Sequence, residues 1–205
     1  MRNDLPTGTV TLLFTDIEGS TRQLRALGEE KYAHALDAHR RAIREALARS
    51  GGVEVDNQGD AFFAAFSDAR AALAAADEAQ RAPALGPLRV RMGLHSGAPR
   101  RTSEGYVGID VHRAARIADC AHGGQIIASE ATRALAGGAF PFRDLGAHRL
   151  ADFSEPERLF QLGVGEFRRR AASAKRICRG RRPRFSGVRA SSASCSRCSI
   201  ATTCD

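Results

Sequence analysis

No apolar stretch in this 205-residue chain approaches the roughly 20 residues needed to span a bilayer. The first residues lack a signal-peptide pattern, because Asp4 and Pro6 interrupt it. Cysteine is nearly missing from residues 1–165, where Cys120 stands alone. That excludes a disulfide framework and leads to the expectation of a reducing, cytoplasmic setting. The same residues carry 20 Lys+Arg against 21 Asp+Glu, a net of −1. A balanced surface of that kind gives no electrostatic argument for nucleic acid as a partner. The formal net charge of +8 therefore comes from residues 166–205, which hold 11 Lys+Arg, 2 Asp+Glu and four of the five cysteines.

That tail has no hydrophobic periodicity from Arg168 onward and too few apolar residues for a core, so residues 165–205 read as a basic, Arg/Ser/Cys-rich disordered tail. It equally resembles the product of a shifted reading frame, and then the chain is a truncated relative of a longer protein. Cys195-x-x-Cys198 has no second ligand pair at zinc-finger spacing. The Arg168-Arg169-Arg170 run reads as solvated charge, with a nucleic-acid-binding arm as the weaker alternative.

Residues 7–164 read as one domain; the chain as a whole is 43% hydrophobic, enough for a core. The pattern predicts a strand over Gly8–Thr15 and one long helix or two over Glu18–Ser50, stopped by Gly51-Gly52. A hairpin follows, Val53–Asn57 with Ala61–Phe66, and then an Ala-rich helix, Asp68–Arg81. Next come a strand over Leu88–Ser96, a polar loop to Gly105 and a helix over Ile109–Ala121. A short strand (Gln125–Ala128), a short helix (Ser129–Ala136) and a closing antiparallel pair (Phe142–Arg149, Arg158–Val164) complete the order. The β-α-β-β-α-β succession predicts an α+β fold with a ferredoxin-like βαββαβ core, extra C-terminal strands, and helices on one face of a mainly antiparallel sheet.

The chemistry concentrates where the first strand ends. The apolar run Val10–Phe14 delivers Asp16 to its tip, and Gly19-Ser20-Thr21 can open a helix and offer backbone N–H groups to phosphate. Asp60 follows Gly59 at the start of the apolar run Ala61–Phe66. Two strand-borne carboxylates beside a phosphate-friendly turn, with no Walker lysine, point to a two-metal nucleotide site.

Four segments in order resemble the class III nucleotidyl cyclase (adenylate/guanylate cyclase) catalytic domain. They are Phe14-Thr15-Asp16-Ile17-Glu18-Gly19-Ser20-Thr21, Gln58-Gly59-Asp60-Ala61-Phe62-Phe63, Arg91-Met92-Gly93-Leu94-His95-Ser96-Gly97, and Tyr106-Val107-Gly108 through Ala114-Ala115-Arg116-Ile117. The resemblance runs over about Thr7–Leu162, with Gln-Gly-Asp at the second metal motif marking an atypical subgroup. It implies conversion of a nucleoside triphosphate, ATP by family habit and GTP as the other candidate, to a 3′,5′-cyclic nucleotide and pyrophosphate for intracellular signalling. It implies two Mg²⁺ or Mn²⁺ ions on Asp16, Asp60 and the Ile17 carbonyl, with phosphates at Gly19, Ser20 and Thr21. Arg116 matches the transition-state arginine, supplied from the other chain of a head-to-tail homodimer.

Several positions depart from the family pattern. His112 stands where an asparagine orients the ribose, and Asp56 and Gly105 stand where adenine-specific members place lysine and aspartate. Asp56 supplies an acid of the kind guanylate-type members use, one methylene shorter than glutamate. Ala151 and Asp152 follow Leu150 where a phosphate-facing lysine is often found, and Arg149 is a possible substitute. Plainer readings stand beside these: Asp56 as an exposed strand residue, His112 as a surface or partner-facing residue, Arg116 as a surface arginine, His95 as a structural histidine. The second functional reading is a degenerate cyclase domain that binds metal-nucleotide or a partner and regulates without turnover.

Overall fold

The computed structural model describes residues 4–82 and 86–167; the tail reading for residues 168–205 lies outside them. Nine strands and five α-helices occur among the described residues: β1 (Val10–Ile17), α1 (Ser20–Leu27), α2 (Glu29–Arg49), β2 (Val53–Gln58), β3 (Ala61–Phe66), α3 (Ala69–Arg81), β4 (Val90–Gly97), β5 (Arg100–Arg101), β6 (Tyr106–Val107), α4 (Ile109–Cys120), β7 (Ile126–Ser129), α5 (Glu130–Ala136), β8 (Phe142–His148) and β9 (Glu157–Leu162). The main sheet has the order β2-β3-β1-β4-β7-β9-β8. Its first four strands are the antiparallel ferredoxin-like core, and β7 joins parallel to β4 through the α4 crossover. The closing pair β8–β9 is antiparallel, and β9 pairs with β7.

Local sequence explains most boundaries. Gly28 breaks the Glu18–Ser50 helical stretch into α1 and α2, its φ of 80° lying in a region that only glycine enters freely. Asp68 caps α3 by accepting from the backbone N–H groups of Arg70 and Ala71 at 3.1 and 3.3 Å. Ser129 caps α5 through the Thr132 N–H.

The expectation that all helices share one face is corrected. Leu13 and Ile17 of β1 pack into a cluster with α2, α3 and α5, whereas Val10, Leu12 and Phe14 pack into a second cluster with α4. Strand side chains alternate sides, so an unbroken apolar run must be covered on both. In the second cluster Phe14 stacks on its cross-strand partner Phe63, ring centroids 4.3 Å apart. Phe62, Phe63 and Phe66 are all buried, as core positions should be.

Candidate active site

The site forms where β1, the β2–β3 turn and α4 converge. Strand alternation places Asp16 on the same side as Leu12 and Phe14, the side covered by α4. The chain then turns through Gly19, whose φ of 67° is left-handed, and enters α1 at Ser20. The Glu18 side chain accepts from the Gly123 N–H at 3.0 Å, and the Glu18 N–H donates to the Arg89 carbonyl at 2.9 Å, which anchors this turn to the rest of the sheet. The side chain of Ile17 is buried in the core, so only its backbone is available for a polar role.

Asp60 is held by its backbone. The Arg40 guanidinium on α2 donates to the Gly59 carbonyl at 3.2 and 2.9 Å, and the neighbouring His39 Nε2 lies 3.4 Å from the Asp60 carbonyl. The structure brings Asp60, Asp16, Ser20 and Tyr32 together. Burial, reinforced by the negative charge of Asp16, raises the Asp60 carboxyl above the ordinary aspartate range, and the Ser20 hydroxyl partly offsets this by hydrogen bonding. The Tyr32 hydroxyl is likewise raised, by burial first and then by Asp60 and Asp16. Asp60 Oδ2 is buried and has no hydrogen-bond partner among the described residues. A buried, unpartnered carboxylate oxygen beside a second carboxylate is the donor set that a hard divalent cation suits. No group of three or more His, Cys, Asp or Glu side chains able to hold a metal occurs among the described residues, so further ligands would come from backbone, water or substrate oxygens.

Asp16 does have a partner. Arg91 is its direct cross-strand neighbour on β4, and its guanidinium donates to Asp16 Oδ2 through Nε at 2.9 Å and through Nη2. Arg91 also reaches Asp119 Oδ1 on α4 at 3.5 Å. Asp119 in turn meets Arg116 Nη1 through Oδ2 at 3.4 Å, and Arg116 Nη2 donates to Asp152 Oδ2 at 2.7 Å. Five alternating charges therefore run from the tip of β1 across α4 to the β8–β9 loop. Burial raises the Asp119 carboxyl, opposed by the two arginines.

The remaining candidates fall around this line. His112 is exposed on α4, one helical turn before Arg116. Asp56 on β2 accepts from the Asn57 N–H at 2.8 Å and from Gln58 Nε2 at 3.3 Å. Gly105 approaches the adjacent Val55, so that a Cβ at Gly105 would lie 3.0 Å from Val55 Cγ1. The two positions expected to face the base thus lie on neighbouring segments. Thr21 is exposed in the first turn of α1. Arg149 donates to the Ser154 carbonyl at 2.9 Å in its own loop. His95 is a buried structural histidine: Nδ1 meets Ser129 Oγ at 2.9 Å and Nε2 meets Asp110 Oδ1 at 3.3 Å, tying β4 to the starts of α5 and α4.

Sequence reasoning assigned no role to Arg91, Asp119, Tyr32 or Asp152. Asp119 was open to discovery, because it lies three residues after Arg116 on a helix and so shares its face. Arg91 carried a weaker signal, a charged residue between Val90 and Met92 in the apolar first half of its strand. The Arg116–Asp152 pair spans 36 positions and leaves no local mark.

The likenesses to known proteins agree with this geometry. Residues 3–155 match the adenylate and guanylate cyclase catalytic domain family. An uncharacterized protein of Mycobacterium tuberculosis is 42% identical over 163 residues, covering 77% of this chain and 56% of that protein. The chain thus spans about half the length of such curated relatives. An adenylate cyclase of Podospora anserina is 29% identical over 222 residues, covering 77% of this chain and 10% of that protein. Among solved structures, an adenylate cyclase from Trypanosoma brucei in its monomeric state superimposes with a TM-score of 0.70 at 29% identity, covering 79% of this chain and 91% of that one. The adenylate/guanylate cyclase/hydrolase from Silicibacter pomeroyi gives 0.65 at 25% identity, covering 78% and 98%. The sheet order, the paired aspartates and these matches together lead to one conclusion: the chain belongs to the adenylate and guanylate cyclase catalytic domain family.

Proposed function

We propose that this domain is a nucleotidyl cyclase that closes a nucleoside triphosphate into its 3′,5′-cyclic monophosphate and releases pyrophosphate. The observation that carries the reading is the half-buried Asp60 carboxylate beside Asp16, one oxygen of which is buried and lacks a partner among the described residues. In the reaction the 3′-oxygen bonds to the α-phosphorus, the bond from that phosphorus to the bridging oxygen breaks, and the hydroxyl proton passes to solvent. Asp16, Asp60 and the Ile17 carbonyl would hold Mg²⁺ or Mn²⁺, which would supply Lewis acidity toward the hydroxyl and the triphosphate when bound. The turn Gly19-Ser20-Thr21 provides N–H and hydroxyl donors for phosphate oxygens at the start of α1. Arg116, contributed across a homodimer, balances negative charge building at the α-phosphorus. His112 offers one hydrogen bond to the ribose. Asp56 accepts from the base edge, which favours guanine N1–H and 2-amino groups more than a lysine would, so GTP stands beside ATP as substrate. The Gln58-Gly59-Asp60 motif supports reading the domain as one of an atypical subgroup.

A second reading, binding without turnover, is favoured by one observation: the Arg116 guanidinium is already engaged by Asp119 and Asp152. Purified full-length chain incubated with ATP or GTP, and Mg²⁺ or Mn²⁺, separates the two. Cyclic nucleotide that disappears in Asp16→Ala establishes the enzyme. Absence of product while metal-nucleotide still binds moves the domain to the regulatory role.

A further inference from the structure

The loop between β8 and β9 brings a carboxylate onto Arg116. Leu150 and Ala151 are buried and anchor the turn, and the Phe153 N–H closes it onto the Leu150 carbonyl at 3.3 Å. Asp152 projects from this turn to Arg116 Nη2 at 2.7 Å. Its φ of 68° makes it the only non-glycine residue with left-handed backbone among the described residues. Asparagine adopts that conformation at least as readily, and glycine more so. What aspartate adds here is therefore its charge.

The two carboxylates on Arg116 differ in kind. Asp119 is 12% exposed, shares its other oxygen with Arg91, and is fixed on the same helix. Asp152 is 77% exposed and has no partner other than Arg116 in the hydrogen bonds and ion pairs of the described residues. The Arg116 side chain is 13% exposed, but the Asp152 end of the pair lies in water, where a carboxylate is readily exchanged. A carboxylate oxygen at Nη2 also presents the same acceptor chemistry as a phosphoryl oxygen. The outer edge of the guanidinium is thus occupied by a group that a phosphate can displace, while its inner edge stays held by Asp119.

Building on the cyclase reading, we infer that Asp152 is the resting counter-ion of Arg116, a positioning residue that occupies the guanidinium edge destined for a phosphoryl oxygen and slows turnover by competing for it. Asp119 keeps the guanidinium in place when Asp152 lets go. The substitution that tests this is Asp152→Asn, which keeps shape and backbone preference and removes only the charge.

In full-length protein Asp152→Asn raises kcat about 2–5-fold, the span expected for losing one ion pair whose carboxylate lies in water. KM for the metal-nucleotide changes less, Asp152→Glu restores the wild-type rate, and the gain vanishes in an Arg116→Ala background. A second readout needs no turnover: NMR of the Arg116 guanidinium shows faster rotation about Nε–Cζ in Asp152→Asn. An unchanged or lower kcat, or a gain that persists without Arg116, overturns the inference. If neither protein forms cyclic nucleotide, the cyclase reading fails on its own, and inorganic pyrophosphate decides the role of Asp152. Binding about 2–5-fold tighter in the variant supports the competition, and equal binding refutes it.

Discussion

Gly93→Ala probes the closest approach between the sheet and the helix that bears Arg116. Gly93 lies in the middle of β4, and a Cβ there would fall 2.2 Å from the Ala118 nitrogen, 2.5 Å from its Cα and 2.8 Å from its Cβ. Two of those three atoms are helix backbone, so no rotamer change relieves the overlap. Ordinary carbon contacts begin near 3.5 Å, so α4 must retreat by roughly 1 Å. That retreat loosens Ala114, Ala115 and Ala118 from Leu12 and Phe14 in the second core cluster. Overpacking costs about 1–3 kcal/mol, and a clash with backbone belongs at the upper end. Alanine regains about 0.5–1 kcal/mol through a less flexible unfolded chain. The net destabilisation is about 2 kcal/mol, or roughly 4–8 °C in Tm at about 2–4 °C per kcal/mol for a domain of this size. Gly138→Ala is the matched control, because nothing among the described residues lies within 4 Å of its Cβ position. Thermal unfolding followed by circular dichroism reads both. If Gly93→Ala melts with the wild type, or the control loses as much, the packing argument is wrong.

Two further outcomes follow from the same structure. Burial lowers the pKa of both His39 and His95 below the ordinary 6.5, so the unfolded chain takes up these protons first. Stability is then full above pH 6.5 and falls as pH drops from there through the folded-state values, which urea midpoints across that range should follow; a flat profile contradicts the assignment. Asp68→Ala removes the acceptor for two N–H groups at the start of α3 and should destabilise by about 1 kcal/mol in chemical unfolding, while Asp68→Asn, which keeps an acceptor, changes little.

The strand ending in Asp16 and the hairpin leading to Asp60 were legible because each is written in a few adjacent residues: an apolar run, a glycine, a carboxylate. The helices predicted over Asp68–Arg81, Ile109–Ala121 and Ser129–Ala136 were legible for the same reason and appear as α3, α4 and α5. The placement of α4 was misread, although the continuous apolar run in β1 carried the clue that both faces are covered. Short strand β5 was hidden in the segment read as polar loop and β6 lies just past its end, since two-residue pairs leave no periodicity.

By itself, the sequence determined the order of elements, the carboxylates at the strand ends and the family likeness, because these depend on near neighbours along the chain. Tertiary structure alone decided what those charges face. Arg91 meets Asp16 across 75 positions because β1 and β4 pair in one register. Asp152 meets Arg116 across 36 positions because the β8–β9 turn folds back against α4. Coulomb interactions follow distance in space, and that distance is set only when the sheet has closed and both of its faces are covered.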